Sequence, residues 1–241
     1  MTEIAELTGL NRATSYRFCQ TLLALGYLEE ADERRLRPGM KAVSLARAAL
    51  SSHELPDLAL PHLRGLHNAT GETVNMALLD GADVVYVSRL LSDDLLALRL
   101  FVGSRLPAYA SSLGRAMLAY LPEEETQALL DDQEMRSFTE FTIVDRTRLL
   151  AELRRIRRRG YALNNQELVI GICGVAAAVF GVSGRPVAAI NISLTRVPER
   201  EEIESKLGPA VMDTARAVSE LATQLAVDVA APSRLLGQGA R

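Results

Sequence analysis

The chain has 241 residues, 48% of them hydrophobic and 24% charged, the balance of a soluble globular protein with room for one large or two ordinary domains. Its net charge of −3 excludes a whole-surface polyanion binder; residues 1–50 carry seven Lys or Arg against six Asp or Glu, net +1, which leaves −4 for the remainder, so any nucleic-acid contact is local, modest per subunit and expected from an oligomer. Two cysteines, Cys19 and Cys173, give neither a disulfide framework nor metal-ligand spacing, and with no signal-peptide pattern and no apolar run long enough for a bilayer they predict a cytoplasmic protein without a membrane partner.

The first elements read as a helix-turn-helix. Thr2 caps a short helix with Ile4, Ala5 and Leu7 on one face, Gly9 supplies the left-handed residue that ends it, and Asn11 caps the next. That second helix is expected to turn Ala13, Tyr16, Leu22, Leu23 and Leu25 inward. Arg12, Thr14, Ser15 and Arg17 crowd its N-terminal end, the part of a recognition helix that meets base edges. Gly26-Tyr27-Leu28 leads into a polar segment carrying Arg34, Arg35 and Arg37 before Pro38-Gly39, a basic wing. A helical hairpin with a glycine turn also occurs in all-α proteins; the basic helix end and the wing favour DNA, because phosphate contacts need cations and base readout needs polar tips.

Residues 41–50 predict a connecting helix, fenced by Pro56 from a second helix over 58–69. The period then changes: 73–79 and 84–90 are strand-like around Asp80-Gly81-Ala82-Asp83, a hairpin signal, and 96–102 predicts a third strand. A helix is expected over 110–120, another from Pro122, and a third capped by Asp145, striped by Leu149, Leu153 and Ile156 and stopped at Gly160. Residues 163–168 read as a loop, and 175–180 with 187–193 as a second hairpin around Ser183-Gly184-Arg185. The last helix, from about Glu199, places Ile203, Leu207, Val211, Thr214, Val218, Leu221 and Leu225 at steps of three and four, with Gly208-Pro209 kinking it early, and 231–241 reads as a frayed tail. Hairpins mixed with helices indicate an α+β module, an antiparallel sheet flanked by helices.

Catalytic chemistry finds no support. His53, His62 and His67 pair with no nucleophile, Cys173 lies in an apolar run, the arginines of 154–159 suit a solvated helix face, and no P-loop, dinucleotide or zinc motif is present, so no cofactor is expected. One site has a physical case. Ser111 and Ser112 open a helix, Gly114 lets a ligand approach the backbone, and free amides, hydroxyls and the helix dipole suit an anion. Asn164, with Asn191 and Ser193 as alternate residues on one strand face, could complete a pocket for a small carboxylate. Helix caps and turn residues account for the same pattern.

These residues together resemble the IclR family of bacterial transcription regulators. The segments carrying the resemblance are Ile4–Leu28, Gly71–Gly81, Gly103–Ala116 and Arg159–Leu168. Leu106–Tyr109, Asn165–Leu168 and Asn191–Ser193 look most like the Pca-type branch, which regulates the β-ketoadipate pathway of aromatic-acid breakdown. The resemblance implies a winged helix (1–39), a linker helix (40–55) and a GAF-like effector domain (56–230), with the pocket at Ser112, Leu113, Asn164, Cys173-Gly174, Asn191 and Ser193. It also implies a palindromic double-stranded operator bound by a homodimer or a dimer of dimers, and a small organic or aromatic acid as effector. Relatives usually carry a further helix before the position of Met1, which leads to the expectation that the start lies upstream or that DNA binding is weak. Many also carry Arg where this chain has Cys173 and an acidic residue at Asn164, so a more neutral pocket is expected here. The rival reading is a small-molecule-binding module with impaired DNA binding.

Overall fold

A computed structural model describes residues 2–31, 35–51, 54–92, 100–131 and 133–228. They fall into two compact units, Met1–Glu54 and Leu55–Arg241.

The first unit opens with α1 (Thr2–Thr8) and α2 (Arg12–Ala24). The turn between them needs Gly9, at φ +67°, and the Asn11 side chain accepts the Thr14 N–H at 2.9 Å as the N-cap of α2. Strands β1 (Leu28–Glu30) and β2 (Leu36–Pro38) pair antiparallel as the two arms of the wing, and α3 (Met40–Ser51) follows. The interior of this unit is small: Ala5, Ser15 and Cys19 are buried where the two helices meet. Contrary to the inward expectation for α2, Ala13, Tyr16, Leu22 and Leu25 are exposed, and Leu7 of α1 is 81% exposed as well. Two helices and a two-stranded wing enclose too little volume to bury them all.

The second unit is built on a six-stranded antiparallel sheet in the order β5-β4-β3-β8-β7-β6. It begins with α4 (Leu55–Thr70), where Pro56 falls in the first turn and its missing N–H costs no helical bond. The first hairpin joins β3 (Thr73–Asp80) to β4 (Asp83–Leu90) through Gly81 at φ +60°. Residues 96–99 of the predicted third strand lie outside the described residues, and 100–102 are not extended; the edge strand is instead β5 (Arg105–Pro107), paired with Val85 to Asp83. A single 3-10 turn (Ala108–Ala110) then leads into α5 (Ser112–Leu118), α6 (Glu123–Asp131) and α7 (Arg146–Arg159), which Asp145 caps and Gly160 ends at φ +87°.

The segment expected as a loop begins as a strand, β6 (Ala162–Asn165), and turns only at Gln166, at φ +61°. The second hairpin is β7 (Cys173–Phe180) with β8 (Pro186–Leu194), and β8 also pairs with β3 at the centre of the sheet. A short turn of helix, α8 (Arg200–Glu202), widens at Ile203–Leu207 before α9 (Gly208–Gln224). The widening has a cause: Pro209 brings no N–H, and the Gly208 N–H reaches back to the Ile203 carbonyl.

Helices α4 and α9 pack on one face of the sheet and α5 with α7 on the other. The face toward α5 holds Ala77, Tyr86, Ala176 and Ala189, small residues that let the helix come close.

Candidate functional site

The sheet register decides which predicted residues meet. Alternate residues of a strand share a face, and neighbouring strands lie about 4.8 Å apart. Ser193 of β8 is level with Gly174 of β7 and Thr73 of β3, and Gly174 is level with Asn164 of β6. One step further in, Asn191 is level with Asn75 of β3 and Ala176 of β7. These residues face α5, as Gly174 shows: a Cβ there would stand 2.7 Å from the Ser112 Oγ and 3.4 Å from the Asn191 Nδ2. Ser112, Asn164, Gly174, Asn191 and Ser193 thus lie together between the sheet and α5. The Asn75 Nδ2 donates to the Asn191 Oδ1 at 2.8 Å, and the Asn191 Nδ2 donates to the Ser112 Oγ at 3.3 Å. Three buried polar side chains in series between the sheet and α5 need a reason to be there.

Four predicted members play other parts. Cys173 precedes Gly174 on β7, so its side chain points to the opposite face, where the thiol donates to the Asn165 Oδ1 at 3.3 Å. Burial pushes its pKa up, so it is no reactive thiol. Ser111 is buried as the N-cap of α5 and accepts the Gly114 N–H at 2.9 Å, which ties up the hydroxyl expected to meet a ligand. Gly114 is bare because the backbone of Ala108 packs where its Cβ would be, so it admits the turn and not a ligand. Leu113 is fully buried in the core beneath α5, where its side chain is packing.

Asn164 faces the site but is firmly held. Its Nδ2 donates to the Ala110 carbonyl and its Oδ1 accepts the Glu167 N–H at 3.3 Å. Glu167 in turn pairs with Arg115 of α5, both almost completely buried. The arginine also donates to the Tyr109 carbonyl at 2.6 Å, and the Thr142 hydroxyl donates to the Glu167 carbonyl at 2.6 Å. This network fixes the end of β6 against the start of α5 and so sets the width of the site.

The register also adds residues that the sequence alone did not single out. Asn75 is one. Arg89 and Tyr86 of β4 are two more: Arg89 is level with Asn75, and its guanidinium carbon lies 5.5 Å from the centre of the Tyr86 ring. Burial pushes the Tyr86 phenol up to about 12 and pulls the Arg89 guanidinium below its ordinary value.

An open cleft of about 330 Å³ lies between β7 and α9, lined by Ala177, Phe180, Met212 and Ala215, with Arg216 and Ser219 among its polar groups. It is set apart from the polar row. Among the described residues no group of three or more His, Cys, Asp or Glu could hold a metal ion, and no helix is long and apolar enough to cross a membrane.

In the first unit, Arg12 and Arg17 are exposed at the N-terminal end of α2, with Thr14 half-buried between them. Ser15 is a correction: it is 1% exposed, and its hydroxyl donates to the Asn11 carbonyl at 3.1 Å, so it packs α2 against α1 and does not reach a base. Tyr16, expected inside, is exposed beside Arg12 and Arg17. On the wing, Arg37 pairs with Glu29 at 3.2 Å, Arg35 is exposed, and Arg34 lies outside the described residues, as does His53. Three arginines of the 154–159 run are engaged locally: Arg157 with the Ala119 and Leu121 carbonyls, Arg159 with Glu152 and the Tyr161 carbonyl, and Arg155 with Glu152. Arg157 and Arg159 thereby fasten α7 to its neighbouring segments.

Comparison with known proteins decides the family. Residues 1–32 match the family model of the IclR helix-turn-helix domain, and residues 47–220 match that of the bacterial transcriptional regulator IclR C-terminal region. The chain belongs to the IclR family. It is 31% identical to the transcriptional repressor IclR of Escherichia coli over 224 residues, covering 91% of this chain and 81% of that protein. It is 33% identical to the Pca regulon regulatory protein of Pseudomonas putida over 217 residues, covering 89% and 74%. The crystal structure of the Thermotoga maritima IclR superposes with a TM-score of 0.72 at 30% identity, covering 91% of this chain and 89% of that one. The α+β fold and the helix-turn-helix agree with that membership, and the chain is a transcriptional regulator and not an enzyme.

Proposed function

We propose that this IclR-family regulator changes its DNA affinity when a small carboxylic acid binds beneath α5. The observation that carries the reading is the row of Ser112, Asn191 and Asn75 beside Gly174: buried, polar and mutually hydrogen-bonded. Ser193 lines the same face, and among the described residues its hydroxyl has no partner, which leaves it free for a ligand oxygen.

Arg12, Thr14 and Arg17 on α2 would read base edges, and Arg35 and Arg37 of the wing would contact the backbone. One such unit offers few contacts, so a homodimer or dimer of dimers on a palindromic operator is part of the proposal. Leu7, Tyr16, Phe18 and Leu25 of the first unit are exposed apolar side chains that a second copy could cover. Similarity to a transcriptional repressor and to a Pca regulon regulatory protein supports repression and the Pca-type branch.

The test is thermal unfolding of the purified protein against aliphatic and aromatic acids, protocatechuate and β-ketoadipate included, repeated for Ser193→Ala. An acid at a hundred times its Kd should add about 2.7 kcal/mol of stability. A shift that Ser193→Ala abolishes supports the site; a shift of equal size in both proteins places the ligand elsewhere, and no shift with any acid contradicts the proposal.

A further inference from the structure

We propose that Arg89 is the charge partner of the effector's carboxylate and that Asn75 selects an acid that also bears a hydroxyl group; this rests on the effector site proposed above. Two of the nitrogens of Arg89, Nε and Nη1, are buried, and no acceptor reaches either among the described residues. The Asn75 Oδ1 is buried and unpartnered as well, on a side chain only 2% exposed. Orphaned donors and an orphaned acceptor on facing residues of adjacent strands are costly in a folded chain unless something completes them.

The backbone brings this about by a specific device. Ala77 is level with Tyr86 and Met76 with Ser88, so Val87 is an extra residue in β4. A bulge reverses the side-chain alternation beyond it. Without it, Arg89 would lie on the face opposite Tyr86. With it, both lie on the α5 face, Arg89 level with Asn75 and its guanidinium carbon 5.5 Å from the centre of the phenol ring. The ring lends the cation favourable contact without occupying any of its N–H groups.

The ligand class follows from the donors and acceptors. Arg89 Nε and Nη1 call for anionic oxygens. The Asn75 amide is oriented by the relay through Asn191 to Ser112, which leaves its oxygen turned away from that chain and in need of a hydroxyl or N–H donor. A hydroxylated carboxylic acid supplies both in one molecule. A carboxamide lacks the charge, and an unsubstituted acid lacks the donor.

The experiment uses the full chain and calorimetric titration with protocatechuate, salicylate, lactate and malate, each alongside its carboxamide and its hydroxyl-free acid (benzoate, propionate or succinate), on wild type, Arg89→Gln, Arg89→Lys and Ser193→Ala. The hydroxyl-free acid is expected to bind more weakly, and equal binding overturns the selection by Asn75. Without ligand, Arg89→Gln is expected to unfold at or above the wild-type temperature, since it removes unpartnered buried donors; a structural arginine would give the reverse. At least one acid is expected to bind wild type, to bind Arg89→Gln tenfold or more weakly and Arg89→Lys between the two, while its carboxamide does not bind. An acid that binds wild type and Arg89→Gln equally but is weakened by Ser193→Ala overturns the role of Arg89 and leaves the effector site standing. Binding of none of the acids to wild type overturns both.

Discussion

The Arg115–Glu167 pair is the most heavily buried ionic contact described in the second unit, and removing half of it should be costly. Arg115→Met leaves the Glu167 carboxylate with the Ile143 N–H, at 3.3 Å, as its one remaining described donor. It also strips the Tyr109 carbonyl of its guanidinium donor. Breaking a buried pair from one side costs about 3–5 kcal/mol, and Glu167→Leu should cost a similar amount by stranding the cation. At about 2–4 °C per kcal/mol for a domain of this size, each single change should lower the Tm by roughly 6–20 °C. The double variant should lose far less than the sum, because no unpaired charge remains. Thermal unfolding followed by circular dichroism on the four proteins closes the cycle. Single losses below about 1 kcal/mol, the range of an exposed pair, or a double variant as unstable as the sum of the two, would refute the view that this pair clamps β6 to α5.

The remaining predictions concern the first unit and two titrating groups. Arg12→Ala and Arg17→Ala should each weaken specific DNA binding by about 1–3 kcal/mol, whereas Ser15→Ala should leave base preference unchanged; a gel-shift series over single-base variants of a bound duplex reads both, and a changed preference in Ser15→Ala would contradict its burial. Asn11→Ala should destabilise the first unit by about 1 kcal/mol through loss of the α2 cap, seen as faster amide exchange over 12–18. Cys173, its pKa pushed up by burial, should stay protonated and resist iodoacetamide at neutral pH, and Cys173→Ala should leave effector binding intact. Tyr86 should ionise only near pH 12 in the folded protein but near pH 10 once unfolded. The unfolded state is therefore favoured increasingly as the pH rises from about 10 to 12, and Tyr86→Phe should flatten that alkaline loss in urea titrations.

Much of the fold was legible because local chemistry dictated it. Gly81 and Gly184 mark the two hairpins, Asn11 and Asp145 cap the helices they were expected to cap, and Gly160 ends α7. The strand β6 escaped notice because Asn164 and Asn165 are polar and stand at the end of a sheet, where pairing with β7 and not hydrophobic alternation makes the strand. The site was half legible. Asn191 and Ser193 share a face by spacing alone, whereas Cys173 was joined to them only through the family resemblance, and the register of β7 turns its side chain to the opposite face from Gly174. Arg89 and Asn75 could not have been joined from the sequence, since the bulge at Val87 that aligns them leaves no mark in residue spacing. A lone asparagine in the otherwise apolar run Val74–Leu79 was the signal available.

Coupling between effector and DNA is the central claim, and one measurement addresses it directly. Duplexes selected from a random pool on the full chain would be titrated with protein in the presence and absence of the acid that raises its Tm. The expected result is a palindromic duplex whose affinity changes by about 5–150-fold with the acid, corresponding to a coupling of 1–3 kcal/mol, and does not change in Ser193→Ala. An acid that raises the Tm while the affinity for the selected duplex stays the same would contradict it.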